Sequence, residues 1–319
     1  MKNLFIIGIF ACLALRSVSA QEVAGINFGT AGPNSWGILA LGGTGGTQCG
    51  GASCFGNSGT TLGLNNGGVF GSSTNANVGV DGGKSSVSGP GYTINGTEFL
   101  STSTINNNSS FTGVVVQNTT SNTLLSGAAS DAAHGVSIAL SLACNMGALC
   151  NNAIATGETI NPSGTGTCVV GGTCVLYVSS IGLNHQTLTL GGGASTNWVI
   201  IDSGNMNVQS GGILEGGGGA SHPQNALIVV TGSMSVLQTS GGPNPDIDAV
   251  VIVPKGSVSM SSGTINGEII VGGSSAQIVS ASQVNVPVPV PDDGRLTLLV
   301  AGFVCCGGLF MRYRSEGSH

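Results

Sequence analysis

Ala226-Leu-Ile-Val-Val-Thr231 is the stretch from which the fold can be read, because three other segments are built like it. They are Trp198-Val-Ile-Ile-Asp202, Ala249-Val-Val-Ile-Val253 and Glu268-Ile-Ile-Val271, and the four begin 28, 23 and 19 residues apart. Each is short, rich in β-branched residues and flanked by Gly, Asn or Ser, which marks strands rather than helices. Weaker alternating stretches stand between them: Met206-Asn-Val-Gln209, Val258-Ser-Met260 and Ala276-Gln-Ile-Val279. A unit of this size cannot hide its apolar face alone, but it can when coils stack on one another.

Composition points the same way. The chain of 319 residues holds 56 glycines without a G-X-Y period, so a collagen is excluded. Recurring strand runs argue against a disordered Gly/Ser/Asn tract. Tight solenoid corners use Gly and Asn, and a narrow core of Val, Ile and Leu leaves little room for aromatics, which make up 4 % of the chain. A β-sandwich would satisfy the strand spacing without needing so many glycines. One segment departs from the pattern: Ala132, Val136, Ala139, Leu140, Ala143 and Met146 have helical spacing. A helix over about 130–146 is expected, started by Ser130, stopped by Gly147 and laid along the β stack.

Between Gln21 and Pro291 there are two lysines, Lys84 and Lys255, no arginine and ten carboxylates, a formal charge of −8. Nothing there neutralises phosphates, so nucleic acid is excluded as a partner. Six cysteines fall into close pairs: Cys49 with Cys54, Cys144 with Cys150, Cys168 with Cys174. Such spacings suit small disulfide-closed loops in an oxidising compartment, although spacing alone fixes no pairing. No C-x2-C occurs and histidines are few, so neither a zinc site nor any other metal or cofactor is expected.

The termini give a route. Lys2, the apolar residues 4–15 and Ser17-Val-Ser-Ala20 read as a signal peptide, 1–20, cut after Ala20. The body, 21–286, is followed by a Pro-rich linker and motif, 287–295, an apolar run, 296–311, and a basic end, 312–319. The run is read as a transmembrane helix slightly short of the hydrocarbon core, with Arg312 and Arg314 as the cytoplasmic stop.

Val290-Pro291-Asp292-Asp293-Gly294, the apolar run and the basic end together resemble the PEP-CTERM class of sorting tails, in its V-P-D-(S/D)-G variant. That resemblance implies an exosortase-type enzyme as partner, with Val290 to Gly294 as recognition element. The body carries Asn34-Ser-Trp-Gly-Ile-Leu-Ala-Leu-Gly42, the Ala-rich helix, Asp248-Ala-Val-Val-Ile-Val-Pro-Lys-Gly256 and Ile265-Asn-Gly-Glu-Ile-Ile-Val-Gly-Gly273. In that order they resemble the surface solenoids termed choice-of-anchor A and, more distantly, ice-binding-like adhesion domains. The resemblance implies a long helix beside an irregular right-handed β-helix.

Catalytic chemistry finds little support. His134 lies on the expected helix, and His185 and His222 fall in Gly/Asn loops. No G-x-S-x-G elbow nominates a nucleophile. Asp246 and Asp248 form either a solvated turn or a weak calcium pair. Asp202 and Glu215 are candidate glycosidase carboxylates only if coil stacking brings them together. Gly216 to Gly219 lack a P-loop lysine. Ice binding would want a regular Thr-x-Thr array on one face, and Thr187-Leu-Thr189 and Thr102-Ser-Thr104 are isolated instances.

The sequence therefore predicts a mainly β protein: an irregular right-handed β-solenoid with one α-helix alongside and a C-terminal transmembrane helix. Its expected role is non-enzymatic, adhesive or structural, at the cell surface or in the matrix, with glycans or matrix polymers as partners. A carbohydrate-active β-helix enzyme and an ice-binding protein are the alternatives.

Overall fold

A computed structural model describes residues 22–33, 35–42, 47–49, 52–55, 59–65, 69–70, 77–88, 93–109, 113–162, 168–215, 223–237 and 246–286. Within them, 23 strands form one sheet in which every pairing is parallel. Each coil contributes a strand to each of three faces in turn. Ala226–Val230, Met234–Leu237 and Asp246–Asp248 make one coil, and the next stacks on it with Leu227 against Val250, Met234 against Val258 and Asp246 against Thr264. This is the β-solenoid that the repeat spacing predicts. The spacing varies between the four runs, while the runs themselves stay in register from Trp198 to Val271.

The coils do not stack in chain order. The last of them, residues 269–285, docks on the first, with Ile270 against Leu39 and Ile278 against Leu64. The stack continues through residues 77–88 to Thr97–Leu100 and ends at Val114–Gln117. The chain thus starts in the middle and builds to one end. Helix α1, Thr119–Ser141, carries it to the far end, and it then winds back to its own first coil. At 23 residues and roughly 1.5 Å each, α1 is about 34 Å long. It matches the seven strand steps from Thr97–Leu100 to Thr173–Asn184, at about 4.8 Å per step.

The helix therefore begins earlier and ends sooner than 130–146. Asn118, not Ser130, caps it: its side chain accepts from Ser121 N at 2.9 Å, and Asn118 N donates to Ser121 Oγ at 2.9 Å. Ser130 is an interior residue, and Leu142 is already extended. Leu125, Ala128, Ala129, Ala132, Ala133, Val136 and Ala139 form its buried stripe. They cover Leu39, Val199, Leu227, Val229, Ile252 and Ile270, the outward side chains of one solenoid face. That face is buried on both sides, the inner one holding Ile38, Ile200, Ile228, Val251 and Ile269. Hence its strands are continuously apolar rather than alternating.

A clip over α1 is supplied by residues 22–33. Phe28 is fully buried where a side chain on Gly135 would strike its ring, so the helix interior tolerates that glycine for close approach. At the far end, Cys144 is bridged to Cys150 and Cys168 to Cys174, with Cα separations of 6.1 Å and 5.1 Å. The side chains of Cys49 and Cys54 lie outside the described residues. So do the signal peptide with Ala20, the linker with Val290, Pro291, Asp292, Asp293 and Gly294, the run 296–311, and Arg312 and Arg314. Among the described residues no helix is long and apolar enough to cross a membrane.

Glycine serves one corner of the solenoid in a particular way. Between the covered face and the next, Gly204, Gly232, Gly256 and Gly273 stack in a column. A Cβ on Gly232, Gly256 or Gly273 would overlap the carbonyl oxygen of the glycine one coil away. None of the four has a positive φ. Space, not backbone angle, is what demands glycine there.

Candidate functional site

Among the described residues nothing covers the face after that glycine column. Its inward residues, among them Ile181, Met206, Met234, Val258, Ala276, Leu62, Leu183, Val208, Met260, Ile278 and Leu64, are buried in the core. Its outward residues form a row in strict register: Gly182, Asn207, Ser235, Ser259, Gln277, Gly63 and Ser86. Seven rungs at about 4.8 Å give a strip of roughly 29 Å. On one flank lie Ser275, Thr61 and Lys84, one above the other; on the other lie Asn184 and Gln209.

The central row contains no charge and no side chain longer than glutamine. Its one long member lies flat: the amide of Gln277 occupies the space over Gly63, where a Cβ would overlap it, and donates to Ser275 Oγ at 3.3 Å. Over Gly182 nothing approaches within 4 Å. Asn205 Oδ1 accepts from Ser233 N at 2.8 Å, tying one coil corner to the next. The row is thus level, neutral and held by a close-packed core.

The third face differs. Asp246 and Asp248 both point outward on it, and Asn266 Nδ2 donates to the two carboxylates at 3.0 Å and 2.8 Å. Asn285 Nδ2 in turn donates to Asn266 Oδ1 at 3.1 Å. Burial, and secondarily the charge of Asp248, raises the pKa of Asp246. An amide ladder holds the pair of aspartates, and among the described residues no group of three metal-ligating side chains forms. Thr187 and Thr189 also stand on this face, and the next rung offers them Gly212 and Leu214. The rung before sets Thr159 against Thr189, and among the described residues the Thr column stops at that pair.

Other sequence candidates do not converge. Asp202 closes a strand of the covered face, accepts from Gly204 N at 2.9 Å, and has its pKa raised by burial. Glu215 closes a strand of the third face in the same coil. The stacking that would pair them does not occur. His134 is exposed on α1, His185 is a turn residue with φ 55° and His222 lies outside the described residues.

Sequence reasoning missed the open row because its members are neighbours through space only, separated by an entire coil in the chain. Its faint trace was the alternating stretches, whose outward positions are Asn207, Ser259 and Gln277.

No protein-family model matches the chain, and no curated protein matches it. Solved structures do. A domain of ice-binding protein 1 from Shewanella frigidimarina aligns over 84 % of this chain and 100 % of its own, with 13 % identity and a TM-score of 0.52. The fold is shared. An ice-binding protein from an Antarctic biological consortium aligns over 82 % and 91 %, with 16 % identity and a TM-score of 0.49. A glycosylated ice-binding protein from an Arctic yeast aligns over 84 % and 96 %, with 15 % identity and a TM-score of 0.48. The expectation that an adhesive or structural role comes first is corrected by the first of these, since the structure whose fold the chain shares is described as an ice-binding protein.

Proposed function

We propose that the chain is an exported, non-enzymatic ice-binding protein that works through its open face. The observation that carries this reading is the seven-rung outward row from Gly182 to Ser86. An ice-binding surface has to hold a layer of water in a repeating arrangement. Parallel strands supply the repeat, at about 4.8 Å, close to the oxygen repeat along one axis of ice. Small hydroxyls and amides supply hydrogen bonds without imposing a competing hydration shell, as an ammonium or carboxylate does. Neither other face offers this: one is covered by α1 and the other carries Asp246 and Asp248. The array is built of Ser, Asn, Gln and Gly where the sequence criterion asked for Thr-x-Thr. The fold shared with the Shewanella frigidimarina structure supports the reading.

Export by a signal over 1–20 belongs to the proposal and agrees with the two disulfides. So does retention by the 296–311 run, with Val290 to Gly294 offered to an exosortase-type enzyme; both rest on sequence. The decisive experiment measures thermal hysteresis and recrystallisation of ice with the purified body. Activity is expected, is lost in Ser235→Lys and Ser259→Tyr, and persists in Gln283→Lys on the third face. Absence of activity, or equal loss in all three variants, refutes the reading.

A further inference from the structure

A second polar site lies where the first turns of α1 meet the corners after Asn77–Val80 and Thr97–Leu100. A shallow, solvent-open hollow of about 330 Å3 lies there, lined by Asp81, by Ser101, Thr102 and Ser103, and by Asn122, Thr123 and Ser126 of the helix. Asp81 is only 8 % exposed, and burial raises its pKa, the hydroxyl of Ser101 opposing that shift. No lining residue is basic, aromatic or aliphatic.

The walls are fixed in advance. Asn122 Oδ1 accepts from Thr102 N at 2.8 Å, and its Nδ2 donates to Thr102 Oγ1 at 3.0 Å. Gln117 Nε2 donates to the carbonyls of Ser101 and Thr104 at 2.9 Å and 2.8 Å. Ser101 Oγ accepts from Gly82 N at 2.8 Å. A ligand entering such a site orders few groups.

The chemistry of the walls selects the ligand. An anion would meet the Asp81 carboxylate. A cation would meet a single carboxylate facing the positive end of a helix dipole. A neutral molecule with adjacent hydroxyls suits both: it can donate to Asp81 and to the hydroxyl oxygens of Thr123 and Ser126, whose own protons go to the carbonyls of Thr119 and Thr123, and accept from the second N–H of Asn122. The volume takes one sugar ring rather than an ion. We propose that this hollow binds one ring of a neutral saccharide or similar polyol, with Asp81 accepting from two neighbouring hydroxyls. The site is independent of the open face.

The test titrates the full-length chain with glucose, mannose, N-acetylglucosamine, xylose and calcium chloride, each followed by calorimetry and saturation-transfer NMR. At least one sugar is expected to bind saturably. Asp81→Asn, which keeps the shape, should weaken that binding by at least about tenfold. Ser126→Leu, at an exposed helix position, should fill the hollow and abolish it, with an unchanged melting curve showing an intact fold. Saturable binding of no sugar, binding that survives both variants, or binding of calcium alone would each overturn the proposal.

Discussion

Asp131 Oδ2 receives both the backbone N–H and the hydroxyl of Thr30, each at 2.7 Å. The contact joins residues 101 apart in sequence and fastens the 22–33 clip to the middle of α1. Gly29 completes it, since a side chain at that position would strike the carboxylate. The clip lies partly in water, so Asp131→Ala is expected to cost about 1–2 kcal/mol. Urea unfolding followed by circular dichroism will show a lowered midpoint, and Thr30→Val a smaller shift in the same direction.

The glycine column makes a stronger claim. Gly232→Ala puts a methyl group onto the carbonyl of Gly204, which is itself fixed by the neighbouring coil. Backbone cannot rotate away as a side chain would, so a loss above about 2 kcal/mol is expected. Gly182→Ala, with open space around it, should leave the melting temperature nearly unchanged.

Glu268 is fully buried, and neither carboxylate oxygen has a hydrogen-bond partner. Burial pushes its pKa well above the ordinary 4.5. The folded chain therefore binds this proton more tightly than the unfolded one. Stability is greatest below about pH 4.5 and declines as pH rises from there through the folded-state value. Glu98, Asp81, Asp202 and Asp246 are raised in the same direction and add to the slope. Glu268→Met should stabilise at both pH values, by about 1–3 kcal/mol at pH 4, where a neutral but unpartnered carboxyl is removed, and by more at pH 7. Denaturant midpoints at the two pH values will measure it.

Lys84 follows Ser275 and Thr61 on that flank, with Ile105 on the rung beyond it, and is the charged member of the four. Replacing its ammonium removes a bound hydration shell beside the neutral strip. Lys84→Ser should raise thermal hysteresis, and Thr61→Lys, which carries the charge one rung inward, should lower it.

Much of this was legible in sequence where burial was strong. The runs at 198–202, 226–231, 249–253 and 268–271 stood out because α1 covers their outer sides, leaving no polar alternation to dilute them. The first third of α1 was not legible. Residues 119–123 are Thr-Thr-Ser-Asn-Thr, weak helix formers that hold through the Asn118 cap and the packing of Leu125 and Ala128. Coil order was hidden too, since nothing local tells Ile270 that its neighbour is Leu39. The open row was sought as a motif along the chain, whereas its seven members meet only across coils.

The docking of the last coil upon the first reaches back into how the molecule is made. Leu39 and Leu64 wait for Ile270 and Ile278, so the amino-terminal third cannot complete its sheet until nearly the whole polypeptide has been synthesised. Contacts of such length in sequence make for slow folding, because loop closure comes before any reward. Until that coil arrives, the strands of Leu39 and Leu64 have a partner on one edge only, against Gly79 and Val87, and the other edge stands bare.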